Sequence, residues 1–488
     1  MKAPKNWSTL LPIDRADREP LQRQIYQRIR DAITQGLLRP GERLASWRSL
    51  ASELGVARGT IEAAYAQLAG EGYVLARGQA GTCVSPNLPP LPQCPPHAAT
   101  RLRPQLGQSP SGTAQAMHAD SPATTPPPLQ LGIPALDAFP RKLWARLGSR
   151  ALRATQAADM FYGDPAGHPR LRQALAAYLS VSRGVACAPG QVYVTAGYRA
   201  SLALVAHALL SPRDQVWVED PGHPPTRELV VTAGCRAVAV PVDEQGLVVA
   251  LGLRRAPGAR LAIVTPSHQA PLGVALSMPR RMALLQWARS RRAWIVEDDY
   301  DGEFHYAGHP LPSLQSLDRH QRVIYSGSFS KTLHPGLALS YLVVPEPLVP
   351  KVNAAAAAWS NGCSPLTQAI AADFLTQGHF ARHLKKMRLL YARRRAWLAA
   401  ALTKAFGERV RVDLARGGMH LIACFDGAPS DVMLAQQAQA GGLNCQALSL
   451  RSARPSTAAQ GLLMGFTNVG SAEEADRLAE KLRGLWRL

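Results

Sequence analysis

Three short stretches of the chain gather side chains able to do chemistry. In Ala293-Trp294-Ile295-Val296-Glu297-Asp298-Asp299-Tyr300-Asp301, an apolar run leads into four carboxylates around one phenol. Carboxylates crowded at the end of a buried run repel one another unless something cationic sits among them. In Val323-Ile324-Tyr325-Ser326-Gly327-Ser328-Phe329-Ser330-Lys331-Thr332, a second apolar run delivers two hydroxyls and an amine into a turn, a cradle for a phosphate and an electrophile. In Val194-Thr195-Ala196-Gly197, a glycine opens a helical stretch at Tyr198, whose free amides and dipole favour an anion. Each stretch is weak alone. The carboxylates also fit a metal site or a solvated strand end, Lys331 also fits a surface lysine, and a lone Ser-x-Ser-Lys carries little. Together they suit one molecule with a phosphate, a ring nitrogen that takes a carboxylate, a phenolic oxygen and an aldehyde: pyridoxal 5′-phosphate.

The elements that must position these groups are legible around them. β-rich runs at Gln191–Thr195, Gln215–Glu219, Arg236–Val240, Leu261–Val264, Trp294–Glu297 and Val323–Tyr325 alternate with helical stretches such as Tyr198–Leu210 and Arg280–Ser290. That alternation predicts an α/β body over residues 129–488, with a mostly parallel sheet covered on both faces. Ligands of such sheets sit at the carboxyl edge of the strands, which is where all three stretches fall.

Ahead of the body lies a different composition. Residues 86–128 hold 12 prolines among 43 residues, with neither helical nor strand period, and read as a flexible linker. As a coil such a segment spans roughly 35–40 Å. Residues 15–85 form a small head. Leu21, Ile25, Ile29 and Ile33 make one helical stripe, Trp47–Leu54 a short helix, and Arg58–Ala69 another with Ile61, Ala64, Tyr65 and Leu68 inward. The last two meet at Gly55-Val56, the rhythm of a helix-turn-helix, although any antiparallel helix pair in a bundle shares it. A hairpin with the tip Ala76-Arg77-Gly78-Gln79-Ala80-Gly81 follows, a wing.

Composition bounds the partners. Across 488 residues the formal charge is +21, of which residues 1–85 carry +4, the linker +1 and the body +16. Such an excess favours a polyanion, most simply nucleic acid. The 7 scattered cysteines form no CxxC pair, so no metal site is expected of them, and a reducing cytoplasm is the expected compartment. No apolar run approaches the ~18 residues of a membrane span.

The head resembles the DNA-binding domain of GntR-type regulators through Pro20-Leu21-Gln22-Arg23-Gln24-Ile25, Gly41-Glu42-Arg43-Leu44, Leu50-Ala51-Ser52-Glu53-Leu54-Gly55-Val56-Ala57-Arg58 and Ala64-Tyr65-Ala66-Gln67-Leu68. The body resembles fold-type I aminotransferases, in particular the effector domain of the MocR subfamily. The stretches that carry this are Tyr162-Gly163-Asp164-Pro165-Ala166-Gly167, Glu219-Asp220-Pro221-Gly222, Thr265-Pro266-Ser267-His268-Gln269, Glu297–Asp301, Gly327–Leu333 and Gly378-His379-Phe380-Ala381-Arg382-His383. The resemblance implies that Arg48, Arg58 and Thr60 contact double-stranded DNA, with Arg77 and Gly78 near the minor groove. In the body it makes Lys331 the amine that joins the cofactor aldehyde. Asp298 becomes the partner of the ring nitrogen, Tyr300 that of the ring hydroxyl, and Ser328 and Ser330 phosphate ligands. Tyr198, His268 and Gln269 line the same site, with a packing role equally open to His268. It also implies a homodimer, whose two heads read two half-sites about one helical turn (~34–36 Å) or multiples apart.

The sequence departs from the pattern at several of these places. Ala45 and Trp47 stand for proline and serine, and Ala57 for a capping serine, a loss of roughly 0.5–2 kcal/mol. His223 stands for tyrosine, and Ala270 and Leu272 also differ. Ala338 replaces the arginine that clamps the phosphate, a loss on the scale of ~1.5–3 kcal/mol for each charged hydrogen bond. Arg199, in a stretch where relatives are rich in glutamine, is a candidate to return that charge from the other side. Three functions follow. The first is a transcription regulator that senses a small amine, an amino acid or pyridoxal phosphate through Lys331. The second is a working aminotransferase carrying a DNA-binding head, for which Arg451 would clamp a carboxylate. The third is a regulator whose pocket has lost the cofactor.

Overall fold

The computed structural model describes residues 7, 12–15, 19–76, 81–86, 126–306, 312–359, 362–427, 429–454 and 459–486. The chain divides into two compact units, residues 1–111 and 112–488, so the division falls within the proline-rich stretch.

In the first unit α1 (Leu21–Thr34), α2 (Trp47–Leu54) and α3 (Arg58–Gly70) precede a hairpin of β1 (Val74–Ala76) and β2 (Thr82–Val84), paired Val74 to Val84. The helical stripe buries Ile25, Ile29 and Ile33 against Leu50, Ile61, Leu68 and Val84, while Leu21 stays half-exposed at the helix start. Ser46 caps α2 by accepting from the Ser49 amide at 3.1 Å. At the start of α3, Ala57 has the extended backbone of a cap and no side-chain bond to give. Arg48 and Arg58 are exposed and Thr60 half-buried, and Trp47 presents its indole to solvent beside Arg48. Arg77 and Gly78 lie outside the described residues.

The second unit is built on an eight-stranded sheet in the order β3-β10-β9-β8-β7-β4-β5-β6. These strands are β3 (Val192–Thr195), β4 (Gln215–Asp220), β5 (Arg236–Asp243), β6 (Gly246–Leu247), β7 (Leu261–Val264), β8 (Trp294–Asp299), β9 (Val323–Ser328) and β10 (Ser340–Val343). The pairs among β5, β4, β7, β8 and β9 are parallel. β10 runs antiparallel between β3 and β9, with Ser340 facing Thr195 on one side and Ser328 on the other. The strands buried on both faces are the apolar runs of the sequence, as a sheet covered by helices requires. A second sheet, β11 (Val410–Asp413), β12 (His420–Phe425), β14 (Leu462–Gly465) and β13 (Gln446–Ala447), is antiparallel. The helices His379–Phe406 and Ala472–Trp486 pack together beside it. Among the described residues no helix is long and apolar enough to cross a membrane.

Candidate functional site

Alternation along β8 sorts the carboxylates onto two faces. Glu297 and Asp299 point to one. Glu297 accepts from the amides of Leu314 (2.7 Å) and Gln315 (2.8 Å), and Asp299 pairs with Arg183 at 2.6 Å and accepts from the Tyr325 hydroxyl at 2.6 Å. These two fix the sheet to its surroundings. Asp298 points to the other face, where it is hydrogen-bonded to the Tyr198 hydroxyl, itself 2.7 Å from Thr226 Oγ1. Burial, then the charges of Asp299, Asp301 and Glu219, hold the Asp298 carboxyl well above the usual carboxylate range. No cationic side chain pairs with it among the described residues.

β9 ends at Ser328 and the short helix Phe329–Thr332 begins at once, which turns Lys331 inward. Its amine donates to the Gly132 carbonyl at 2.8 Å. Burial holds that amine below the ordinary lysine range, against the pull of Asp301 and Asp298. Gly132 has φ +72, and a Cβ there would lie 2.6 Å from the amine, so the close approach requires glycine. Ser328 Oγ accepts from the Ser330 amide (3.1 Å) and from Ser340 Oγ (2.9 Å). Across β10, Thr195 Oγ1 and Ser201 Oγ are 2.6 Å apart at the start of the helix Tyr198–Leu209, behind Gly197 at φ +100.

Tyr300 and Asp301 both reach His268 Nδ1, each at 3.1 Å. Burial, then Asp301 and Asp298, raises the Tyr300 phenol well above its ordinary value. His268 Nε2 is buried without a hydrogen-bond partner among the described residues, its ring 6.0 Å from that of His420. Gln269 is fully engaged: its amide nitrogen donates to Glu219, Pro221 O and Ala270 O, and its oxygen accepts from Leu272 N. It braces the loops after β4 and β7. His223 sits edge-on to Tyr198, with ring centroids 5.8 Å apart. Burial and the nearby Arg451, Lys331 and Arg199 push the His223 imidazole down to about 3, so it is neutral.

The Arg199 side chain is 58% exposed and lies 3.4 Å from Glu228. Arg451 is drawn in by the bond from Gly222 N to its carbonyl (3.1 Å) and donates to the Gln446 side chain, with no carboxylate partner among the described residues. Ala338 occupies a left-handed turn at φ +46. Among the described residues no three His, Cys, Asp or Glu side chains are grouped to hold a metal ion.

The residues fit pyridoxal phosphate. Among the described residues, a buried amine with only a carbonyl partner, a buried carboxyl without a cation and hydroxyls beside a helix N-terminus share one sheet edge. Gly132, Thr226, Ser340 and His420 were not found from sequence. Gly132, Thr226 and His420 lie far along the chain from the groups they meet, whereas Ser340 stands two residues after Ala338.

Residues 133–479 match the aminotransferase class I and II family, and residues 21–84 match the gntR family of bacterial regulatory proteins. The chain is 38% identical to the probable rhizopine catabolism regulatory protein MocR of Rhizobium meliloti, over 94% of this chain and 92% of that one. It is 33% identical to the HTH-type pyridoxine biosynthesis transcriptional regulator PdxR of Corynebacterium glutamicum, over 90% and 91%. Kynurenine aminotransferase of Pyrococcus horikoshii shares the fold of the body, with a TM-score of 0.67 over 75% of this chain and 91% of that one at 23% identity. The chain therefore belongs to the MocR-type GntR family, transcriptional regulators in which a helix-turn-helix domain is joined to a domain of aminotransferase class I and II.

Proposed function

We propose that this regulator holds pyridoxal 5′-phosphate at the carboxyl edge of β3, β8 and β9 and senses a small amine or amino acid there. The observation that carries the reading is a buried amine, Lys331, on the same edge as Asp298, a buried carboxyl that no cationic side chain neutralises among the described residues. When bound, the pyridoxal group supplies an aldehyde that either a lysine or an effector amine can join. Burial favours the neutral form of the Lys331 amine, the form able to attack a carbonyl. Asp298 would hold the ring nitrogen and Tyr300 the ring hydroxyl, with Ser328, Ser330 and the amides that open the helix Tyr198–Leu209 around the phosphate. Arg199 would turn from Glu228 to return the charge missing at Ala338, since an exposed ion pair at 3.4 Å holds it only weakly. Arg451 would take an effector carboxylate.

Ala338 favours a second reading of the same site, in which pyridoxal phosphate is itself the signal. A phosphate held without that arginine is held less tightly, so occupancy follows concentration. Two chains as a homodimer would place two heads on a two-half-site operator. The adjacent Met160, Phe161 and Tyr162, 77%, 76% and 95% exposed, support a partner surface of that kind. The test of the site is a visible absorbance titration with pyridoxal phosphate on the wild type, Lys331→Ala and Arg199→Ala. A visible absorbance band in the wild type and its loss in Lys331→Ala are expected. No band in the wild type at saturating cofactor would overturn the reading, and unchanged affinity in Arg199→Ala would remove that arginine from it.

A further inference from the structure

We infer that the body of this regulator carries its own DNA-binding surface, a basic face that grips the phosphate backbone of the duplex the head reads. The inference rests on the head's DNA binding and is independent of the cofactor.

The face is built from two helices with one sign of charge. The helix Arg141–Ala154 has five cations and no carboxylate, and the helix His379–Phe406 has eight and none. On the first, Leu147 is buried while Lys142, Arg146 and Arg150 line the exposed side at four-residue spacing, with Arg153 beyond. That stripe is about 16 Å long at 1.5 Å per residue. On the second, Arg382, Lys385 and Lys386 are exposed. The helix Pro365–Thr376 packs against both and joins them. Arg382, Arg146 and Arg150 all bear on His379, so the two sets form one face.

Little among the described residues neutralises it. Asp373 takes Arg150 at 2.5 Å and Arg170 at 2.6 Å, and Asp137 is held by Arg394. Lys142, Arg146, Arg382 and Lys386 have no carboxylate partner among the described residues. Arg141, Lys142 and Arg382 also lie in the first turns of their helices, the positive ends of the dipoles, where a cation is unfavourable unless an anion faces it. A single small anion engages one or two such groups, whereas this face extends over two helices. Duplex DNA presents one charge about every 1.7 Å of its axis, and the head of the same chain delivers it.

The test uses the full chain and a mixed-sequence duplex of about 60 base pairs, because phosphate contacts carry no sequence information. Affinity is followed by fluorescence anisotropy between about 50 and 200 mM salt. Each lost phosphate contact flattens the slope of log K against log salt by about 0.9. The combined variant Lys142→Gln/Arg146→Gln/Arg382→Gln/Lys386→Gln is expected to flatten it by about 3.6 and to weaken binding at least tenfold near 100 mM. An unchanged slope in the folded variant would overturn the inference while leaving the head intact. If its circular dichroism melt shows that it does not fold, Arg382→Gln/Lys386→Gln decides alone, with a change of about 2 expected and none contradicting. A wild type that binds no duplex would bring down the DNA reading of the head, and this surface with it.

Discussion

Asp298 and Asp299 are neighbours in the chain with opposite tasks, and the pleat of β8 separates them. Asp299 answers Arg183, while Asp298 answers nothing cationic among the described residues. If pyridoxal phosphate sits as proposed, Asp298→Asn would remove a charge-assisted hydrogen bond to the ring nitrogen. It is expected to lower pyridoxal phosphate affinity roughly 10- to 100-fold, on the scale of 1.5–3 kcal/mol, read by absorbance titration. Equal affinity would place the ring elsewhere. Glu219 offers a pH test. Burial pushes its carboxyl up to about 7 against the hydrogen bonds from Thr265 and Gln269, above the ordinary 4.5. A folded-state value above the unfolded one means stability fully present below about 4.5 and lost as pH rises through 7. Tm of Glu219→Gln is therefore expected to gain on the wild type from pH 4.5 to 7, and a constant difference would contradict this. Lys331, Asp298 and Tyr300 were legible as candidates because each stands within its motif. It missed Gly132 and His420 because those contacts form only when segments far apart in the chain meet.

At the level of elements, the strand runs were legible from their apolar character and ended within a few residues of the observed boundaries, since a strand buried on both faces leaves an unbroken apolar signal. β10 was hidden. Its four residues follow Pro335 and Gly336, and their antiparallel place between β3 and β9 depends on partners distant in sequence. The second sheet escaped for the same reason, its β13 being two residues long. Two substitutions test what holds elements together. Arg183, buried with Asp299, also reaches Ser267 Oγ at 2.9 Å and so ties the helix Pro169–Arg183 to the sheet. Arg183→Ala strands a buried carboxylate and is expected to cost about 3–5 kcal/mol in denaturant unfolding of the body. Less than about 1 kcal/mol would mean that Asp299 is otherwise compensated. In the head, Ala57→Ser restores a cap on a backbone already extended at φ −64, ψ 143. A gain of about 1 kcal/mol in head stability is expected, and no gain would show that α3 takes its first-turn partners elsewhere.

Over the whole molecule, a head that reads DNA and a body of aminotransferase fold share one chain, and regulation requires that the state of the body change the grip of the head. Coupling of that kind is an energy of about 1–3 kcal/mol, a 5- to 150-fold change in affinity. The resemblance in the sequence extended through both units because their motifs are local. The effector was not legible, because His223, Ala270 and Leu272 alter the walls that would select it. The most direct measurement is the affinity of the full chain for duplexes that it selects from a random-sequence pool, taken with and without pyridoxal phosphate and then with added amino acids and amines, beside Lys331→Ala. The account predicts a shift of at least fivefold in the wild type on adding the cofactor or one of the amines, and none in Lys331→Ala with basal DNA binding retained. An equal shift in Lys331→Ala, or DNA affinity indifferent to the cofactor and to every amine, would contradict it.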